Sequence, residues 1–269
     1  AVRDRWIDHP LISFCLAPHA PYTVSDTTFE RVRTLAEQFD LPVHCHIHET
    51  QGEIDGSLAA HGVRPLARLA RLNLLGPNFI GVHGVHLDDA DIALLAEHGC
   101  SLAHCPTSNM KLASGFAPIT KLLNKGLTVG LGTDSAASNN RLDLFQEMRQ
   151  AALIAKALSG DAATLPAHHA LAMATLHGAQ ALGLGEQIGS IAVGKAADLC
   201  AVDLSSLGNQ PCYDPIAQLV YAAGRENVSH VWVAGKCCVE RNALLSADEN
   251  ELKDSACLWQ NKPEVRHKA

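Results

Sequence analysis

LPVHCHIHET, Leu41–Thr50, is the stretch on which the reading of this chain turns. Val43, Cys45 and Ile47 alternate with His44, His46 and His48, the two-residue period of a β-strand, so three histidines share one face. Polar rings on a central strand are unfavourable unless they are hydrogen-bonded or hold a ligand. Glu49 follows at once, just past the strand end. Three later segments have the same shape: FIGVHGVHLD (Phe79–Asp88), CSLAHCPTSN (Cys100–Asn109) and LTVGLGTDSAASNN (Leu127–Asn140). In each, an apolar run stops and a polar residue follows: His83 with His86 beyond it, His104 with Ser108 and Asn109, and Asp134. Helix-like stretches separate the segments. This is the cadence of a (β/α) barrel whose chemistry sits at the C-terminal ends of its strands.

Working outward, the 269 residues suffice for one large domain or a domain and a half. Nearly half are hydrophobic and 4% are aromatic, which suits a core of Ala, Leu, Val and Ile. The net charge of −7, without a Lys/Arg cluster, argues against a nucleic-acid partner. The longest apolar runs are too short to cross a bilayer, and no signal peptide is visible. Of nine cysteines, Cys15, Cys45, Cys100 and Cys200 lie in apolar, strand-like runs, where cysteine behaves as a small hydrophobe. The odd count points to a reducing cytoplasm. No C-x-x-C pair exists, which argues against a zinc ribbon and the cysteine-ligated deaminases.

Leu11–Ala17 reads as a buried strand ending in Pro18-His19-Ala20-Pro21. Ser25 caps a helix with Phe29, Val32, Leu35, Ala36 and Phe39 on its apolar face. Residues 64–75 are amphipathic, Asp88 is an N-cap, and 142–158 and 167–182 are longer helices. After Gly183 the rhythm changes. Residues 188–203 read as two short strands around Gly194-Lys195, and 228–240 as a hairpin turning at Ala234-Gly235. The expected division is a barrel portion over 1–186 and a small β-sandwich module with a polar tail over 187–269.

The chemistry follows from residue type. A carboxylate at Asp134, bounded by glycine and small polar residues, can ligate a metal and take a proton from water. His46 is a ligand candidate, although His44-x-His46 and His46-x-His48 both have two-histidine metal spacing. Glu49 is placed to carry a proton over the site. His83 can hydrogen-bond the attacking water or an oxyanion. His104, Ser108, Asn109 and His19 lie at the same mouth, as loop-ordering groups or substrate contacts. Together these residues point to a metal-dependent hydrolase.

APHAPYTVSD, HIHETQGEI, GVHGVHLDD, AHCPTSNMKLASG, GLGTDSAASNNRLDLFQEMR and GSIAVGKAADLCAVD resemble, in order and over nearly the whole chain, the amidohydrolase superfamily. More narrowly, they are similar to its branch of 5′-methylthioadenosine/S-adenosylhomocysteine deaminases and s-triazine hydrolases. Ser135 stands where that family more often has Gly. The resemblance implies a (β/α)8 TIM-type barrel of which strands 4–8 are present, with a small β-sandwich after it. It implies one divalent metal, zinc by preference, held by His46 and Asp134. Glu49 would be the proton shuttle, and His83 would touch the hydrolytic water. His19 and Ser138 would lie along the substrate, with His104 and Asn109 beside it. The family's first strand carries a His-x-His pair supplying two more ligands. Nothing before His19 has that pattern, so those ligands are expected upstream of Ala1, with strands one to three. The implied reaction is attack of metal-bound hydroxide at purine C6 of an adenosine-type thio-nucleoside, with release of ammonia. A homo-oligomer is implied as well. The alternatives are an s-triazine, guanine or pyrimidine hydrolase of the same superfamily, and a non-catalytic assembly protein on the same barrel.

Overall fold

A computed structural model describes residues 2–260. Its centre is a sheet of four parallel strands in sequence order: β1 (Val43–Ile47), β2 (Phe79–His83), β3 (Ser101–His104) and β4 (Thr128–Leu131). Parallel neighbours joined by helices require a crossover on one side. After α1 (Val2–Trp6) and α2 (Asp26–Phe39), which precede β1, the chain supplies the first crossover, from β1 to β2, with α3 (Gln51–His61) and α4 (Pro65–Arg71). Next come α5 (Asp89–Glu97), α6 (Pro106–Lys111) and α7 (Ile119–Asn124). One face of the sheet packs into the main core: Val43, Cys45, Ile47, Phe79, Leu102 and Val129 meet Phe29, Leu66, Leu69, Ile92, Leu95 and Leu122 from these helices. Ser25 caps α2 through Thr28 N–H, and Asp88 forms a reciprocal capping box with Asp91 at α5, as the residue types require.

After β4 come α8 (Ala136–Asn139), α9 (Leu144–Ser159), α10 (Ala167–Ala174) and α11 (Leu176–Ala181). The helix expected over 167–182 is broken at Thr175 (φ −130°, ψ −94°), whose hydroxyl donates to Leu171 O at 2.7 Å. The break brings α11 against β4, where a Cβ on Gly130 would stand 2.9 Å from Gly178 Cα. The helix expected over 64–75 is shorter, ending with α4 at Arg71.

A second, antiparallel sheet holds β5 (Leu199–Val202), β6 (Val228–Val233), β7 (Lys236–Glu240) and β8 (Ala243–Leu244), with α12 (Pro215–Tyr221) between β5 and β6. The β6–β7 hairpin turns at Ala234-Gly235, both in left-handed conformations, as read from the sequence. Only one of the two strands expected over 188–203 forms. Ile191 and Val193 lie exposed in the turn before it. The tail, expected to drape over the surface, forms an exposed helix, α13 (Glu249–Gln260). The remainder of that tail, 261–269, lies outside the described residues.

Leu11–Ala17 is not a strand either. It runs beside β1 with one parallel bridge, Leu16 to Val43, and Leu11 is 60% exposed. Its ladder is Leu16 N–H to Pro42 O, His44 N–H to Leu16 O and His46 N–H to His19 O. Pro18 has no N–H to extend it. Cys45 and Cys100 are buried as expected, whereas Cys15 and Cys200 are exposed. Among the described residues no helix is long and apolar enough to cross a membrane.

Candidate active site

The C-terminal ends of β1, β2 and β4 converge. His46, His83 and Asp134 each offer a ligand atom, and these atoms all lie within 4.8 Å of one another. The His46 and His83 rings stack, with centroids 5.4 Å apart and planes 16° from parallel. Their orientation is fixed from behind. His46 Nδ1 donates to His19 O at 2.6 Å, and His83 Nδ1 lies 2.8 Å from Asn109 Oδ1. Both Nε2 atoms are thereby left as the lone-pair side, the arrangement by which protein carbonyls and amides orient metal-binding imidazoles.

Asp134 is held as a carboxylate. Ser108 Oγ and Ser138 Oγ both donate to Oδ2, at 2.6 and 2.7 Å, and Ser135 N–H donates to Oδ1 at 2.8 Å. Burial pushes its pKa up, but these hydrogen bonds and the nearby His83 outweigh it and hold the carboxyl below its ordinary range. Two half-buried or buried histidines and one ionised carboxylate, ordered by protein groups, form a donor set that suits zinc or a similar divalent ion.

Glu49 stands beside this group. One carboxylate oxygen lies 3.8 Å from His83 Nε2, and the other accepts from Ser114 Oγ at 3.4 Å. Ser114, in the turn after α6, carried no signal in the sequence.

The other histidines sort themselves by partner. His48 was one of three rings expected on the ligand face, but the strand ends at Ile47 and His48 adopts φ +50°. Its ring is fully buried: Nε2 accepts from Leu66 N–H at 3.1 Å, and Nδ1 sits 3.4 Å from both His86 O and Asp91 Oδ2. Burial pushes its pKa down to about 4. His48 is therefore a core histidine joining β1 to α4 and α5, and His44 is exposed. His86 closes a loop through Ser114 O at 2.9 Å. His104 is buried and lines a cavity with Phe116, Ala117 and Ala155, and the structure does not bring it into the ligand group. His19 is at the mouth, 5.1 Å from the His46 ring, with its Nδ1 2.8 Å from Thr23 Oγ1. Of the residues expected along a substrate, Ser138 donates to Asp134 and Asn109 Oδ1 holds the His83 ring, while Asn109 Nδ2 is buried without a hydrogen-bond partner.

A buried acid ties the two serine-bearing loops together. Glu147, on α9, accepts from Thr107 N–H at 3.0 Å and from Asn139 Nδ2 at 2.7 Å. Thr107 precedes Ser108 on α6, and Asn139 follows Ser138 on α8. Nothing local to Glu147 announces this bridge, which spans 40 residues.

The model of the amidohydrolase family matches residues 4–238, and the chain belongs to that family. Among its relatives is a 5-methylthioadenosine/S-adenosylhomocysteine deaminase of Teredinibacter turnerae, 47% identical over 97% of this chain and 59% of the relative. A crystal structure of an adenosine deaminase from Xanthomonas campestris with bound zinc superposes with a TM-score of 0.95 at 52% identity, covering 97% of this chain and 59% of that one. A zinc complex of an atrazine chlorohydrolase from Arthrobacter aurescens superposes at 0.87 with 25% identity, covering 96% and 58%. The chain thus spans about 59% of the length of the curated deaminase it matches.

Proposed function

We propose that this chain forms the catalytic portion of a metal-dependent deaminase of adenosine-type thio-nucleosides, 5′-methylthioadenosine and S-adenosylhomocysteine. The observation that carries this reading is the convergence of His46, His83 and Asp134 within 4.8 Å, with Glu49 3.8 Å from His83. The Teredinibacter relative and the zinc-bound Xanthomonas structure support the substrate class and the metal. In this reading the four-stranded sheet is an arc of a (β/α)8 barrel. Residues 1–186 carry the chemistry, and 187–269 form the accompanying β module.

His46 and Asp134 would hold the ion, zinc by preference. When bound, the metal makes water a competent nucleophile near neutral pH. Asp134, ionised by its serine hydrogen bonds, accepts the proton of the attacking water. His83, fixed by Asn109, orients that water toward purine C6. Glu49 delivers a proton to the ring nitrogen beside C6; the amine takes the proton held by Asp134 and leaves as ammonia, and the C6 hydroxyl gives its proton back to Glu49, leaving the oxygen of water as the carbonyl. His19, at the mouth, would border the nucleoside.

The test is ammonia release by the zinc-loaded full-length protein, with the upstream ligands in place, offered 5′-methylthioadenosine, S-adenosylhomocysteine, adenosine, guanine and a chlorinated s-triazine. Selective release from the two thio-nucleosides is expected. Preference for the triazine would move the assignment toward the chlorohydrolase side of the family. The Asp134→Asn protein should lose at least about 100-fold in kcat, because the proton acceptor is gone; ordinary turnover by that variant would refute the scheme.

A further inference from the structure

Glu53 sits at the third position of α3, where a glutamate commonly reaches back to the N–H of the helix N-cap. The N-cap here is Thr50, whose hydroxyl accepts from Glu53 N–H at 3.4 Å. The reciprocal bond misses Thr50. Glu53 Oε2 instead accepts from the N–H of Glu49, one residue further back, at 3.0 Å. The side chain is 6% exposed, and its second oxygen, Oε1, is buried with no hydrogen-bond partner. A cap alone gives no reason to bury a carboxylate this way beside a second one. Burial first, and then the nearby Glu49 charge, pushes the Glu53 pKa up to about 7, against the hydrogen bond from the Glu49 N–H. A buried acid kept in so unfavourable a place is usually tied to function.

Glu49 is where that tie leads. Its backbone is gripped by Glu53, and its side chain reaches from there to Ser114 and His83. Glu53 also lines a cavity of about 410 Å³ with Tyr22, Ser57 and Arg68.

We propose that Glu53 is a positioning residue, holding the Glu49 backbone so that the Glu49 carboxylate meets the substrate's ring nitrogen. The inference rests on Glu49 as the proton carrier and names the group that aims it.

Two measurements test it. The first needs no substrate: hydrogen exchange of the Glu49 amide in the wild-type protein, Glu53→Gln and Glu53→Ala. Glu53→Gln keeps an acceptor oxygen and should protect the amide nearly as well as glutamate. Glu53→Ala should exchange roughly 10-fold faster or more, for want of an acceptor. Unchanged protection in Glu53→Ala would overturn the proposal, whatever the enzyme's substrate. The second is kinetic. A misplaced acid–base group costs on the order of 10–100-fold in kcat, so Glu53→Ala should lose that much with KM and metal content unchanged. In a Glu49→Gln background the same substitution should cost less than about twofold, because the two act through one group. An equal loss in both backgrounds, or loss of bound zinc, would show that Glu53 acts elsewhere. If the wild-type protein deaminates none of the compounds offered, the proposed function falls, and the amide exchange still decides whether Glu53 holds Glu49.

Discussion

Glu147 offers the sharpest quantitative prediction. Its carboxylate is fully buried on α9 and fastens the loop after β3 to the loop after β4. Thr107 lies in the first turn of α6, where a backbone N–H has no acceptor within the helix. Removing Glu147 therefore orphans that N–H, at about 1–3 kcal/mol. Asn139 Nδ2 keeps Thr133 O at 2.8 Å, so it loses a charge-assisted bond without being stranded. One buried methylene adds about 0.8 kcal/mol. Relief of the desolvated carboxylate, whose pKa burial pushes up against the Thr107 and Asn139 hydrogen bonds, offsets part of this sum. Glu147→Ala should therefore lose about 2–4 kcal/mol. Glu147→Gln keeps one acceptor but sets an amide against the other donor, and should lose about 1–2 kcal/mol. Equilibrium urea unfolding of the three proteins measures both. A Glu147→Ala protein within about 0.5 kcal/mol of wild type, the range of an ordinary surface change, would refute the bridge.

Two further outcomes follow from the core. Gly130→Ala puts a methyl group 2.9 Å from the Gly178 backbone, which has no flexible end to give way. It should destabilise by about 1–3 kcal/mol, read as a lowered Tm, and an unchanged Tm would mean that α11 does not press on β4 as described. His104 is buried, and burial, with a lesser push from His83, holds its pKa down to about 3. The unfolded chain protonates this ring near its ordinary 6.5, so between 6.5 and about 3 the unfolded state binds more protons. Stability attributable to His104 is therefore present above that window and is lost as pH falls through it. Urea unfolding at pH 7 and pH 5 should show a smaller acid loss for His104→Gln than for wild type, and equal losses would count against a neutral buried ring.

The strand ends were legible in the sequence because they obey a local rule. An apolar, strand-like run that gives way to His46, His83 or Asp134 places a polar group at the mouth of a parallel sheet, and all three meet there. Ser25 and Asp88 were legible for the same reason, since a cap is defined within four residues. The three-histidine alternation misled because alternation holds only while the strand lasts. His48 is one residue past its end, and its partners, Leu66 N–H, Asp91 and His86 O, come from other elements. Leu11–Ala17 has the composition of a strand, but a ladder needs donors, and Pro18 withholds one. Ser108, Ser138 and Glu147 gain their meaning only when β3 and β4 lie side by side. Their polar atoms find partners in loops that the sequence keeps far apart.

The geometry of His83 shows how the sheet and the site are reconciled. In the parallel register His83 pairs with Ile47, and paired residues of a regular ladder face the same side. Ile47 is buried in the apolar core, so a regular strand would send the His83 ring there too, away from His46. The backbone instead takes φ +71° at His83, and the ring stacks on His46. Asp134, just past the end of β4 at Leu131, likewise sits at φ +60°. Left-handed backbone at a residue with a Cβ costs on the order of 1–3 kcal/mol and persists only where its surroundings dictate it. Here they do: Asn109 holds the His83 ring, and Ser108, Ser135 and Ser138 hold the Asp134 carboxylate. The polar groups around the two residues thus do more than tune them. They stabilise the backbone reversals that turn strand-end residues toward the site, which is why Ser108 and Asn109 are buried on the short helix beside it instead of facing solvent.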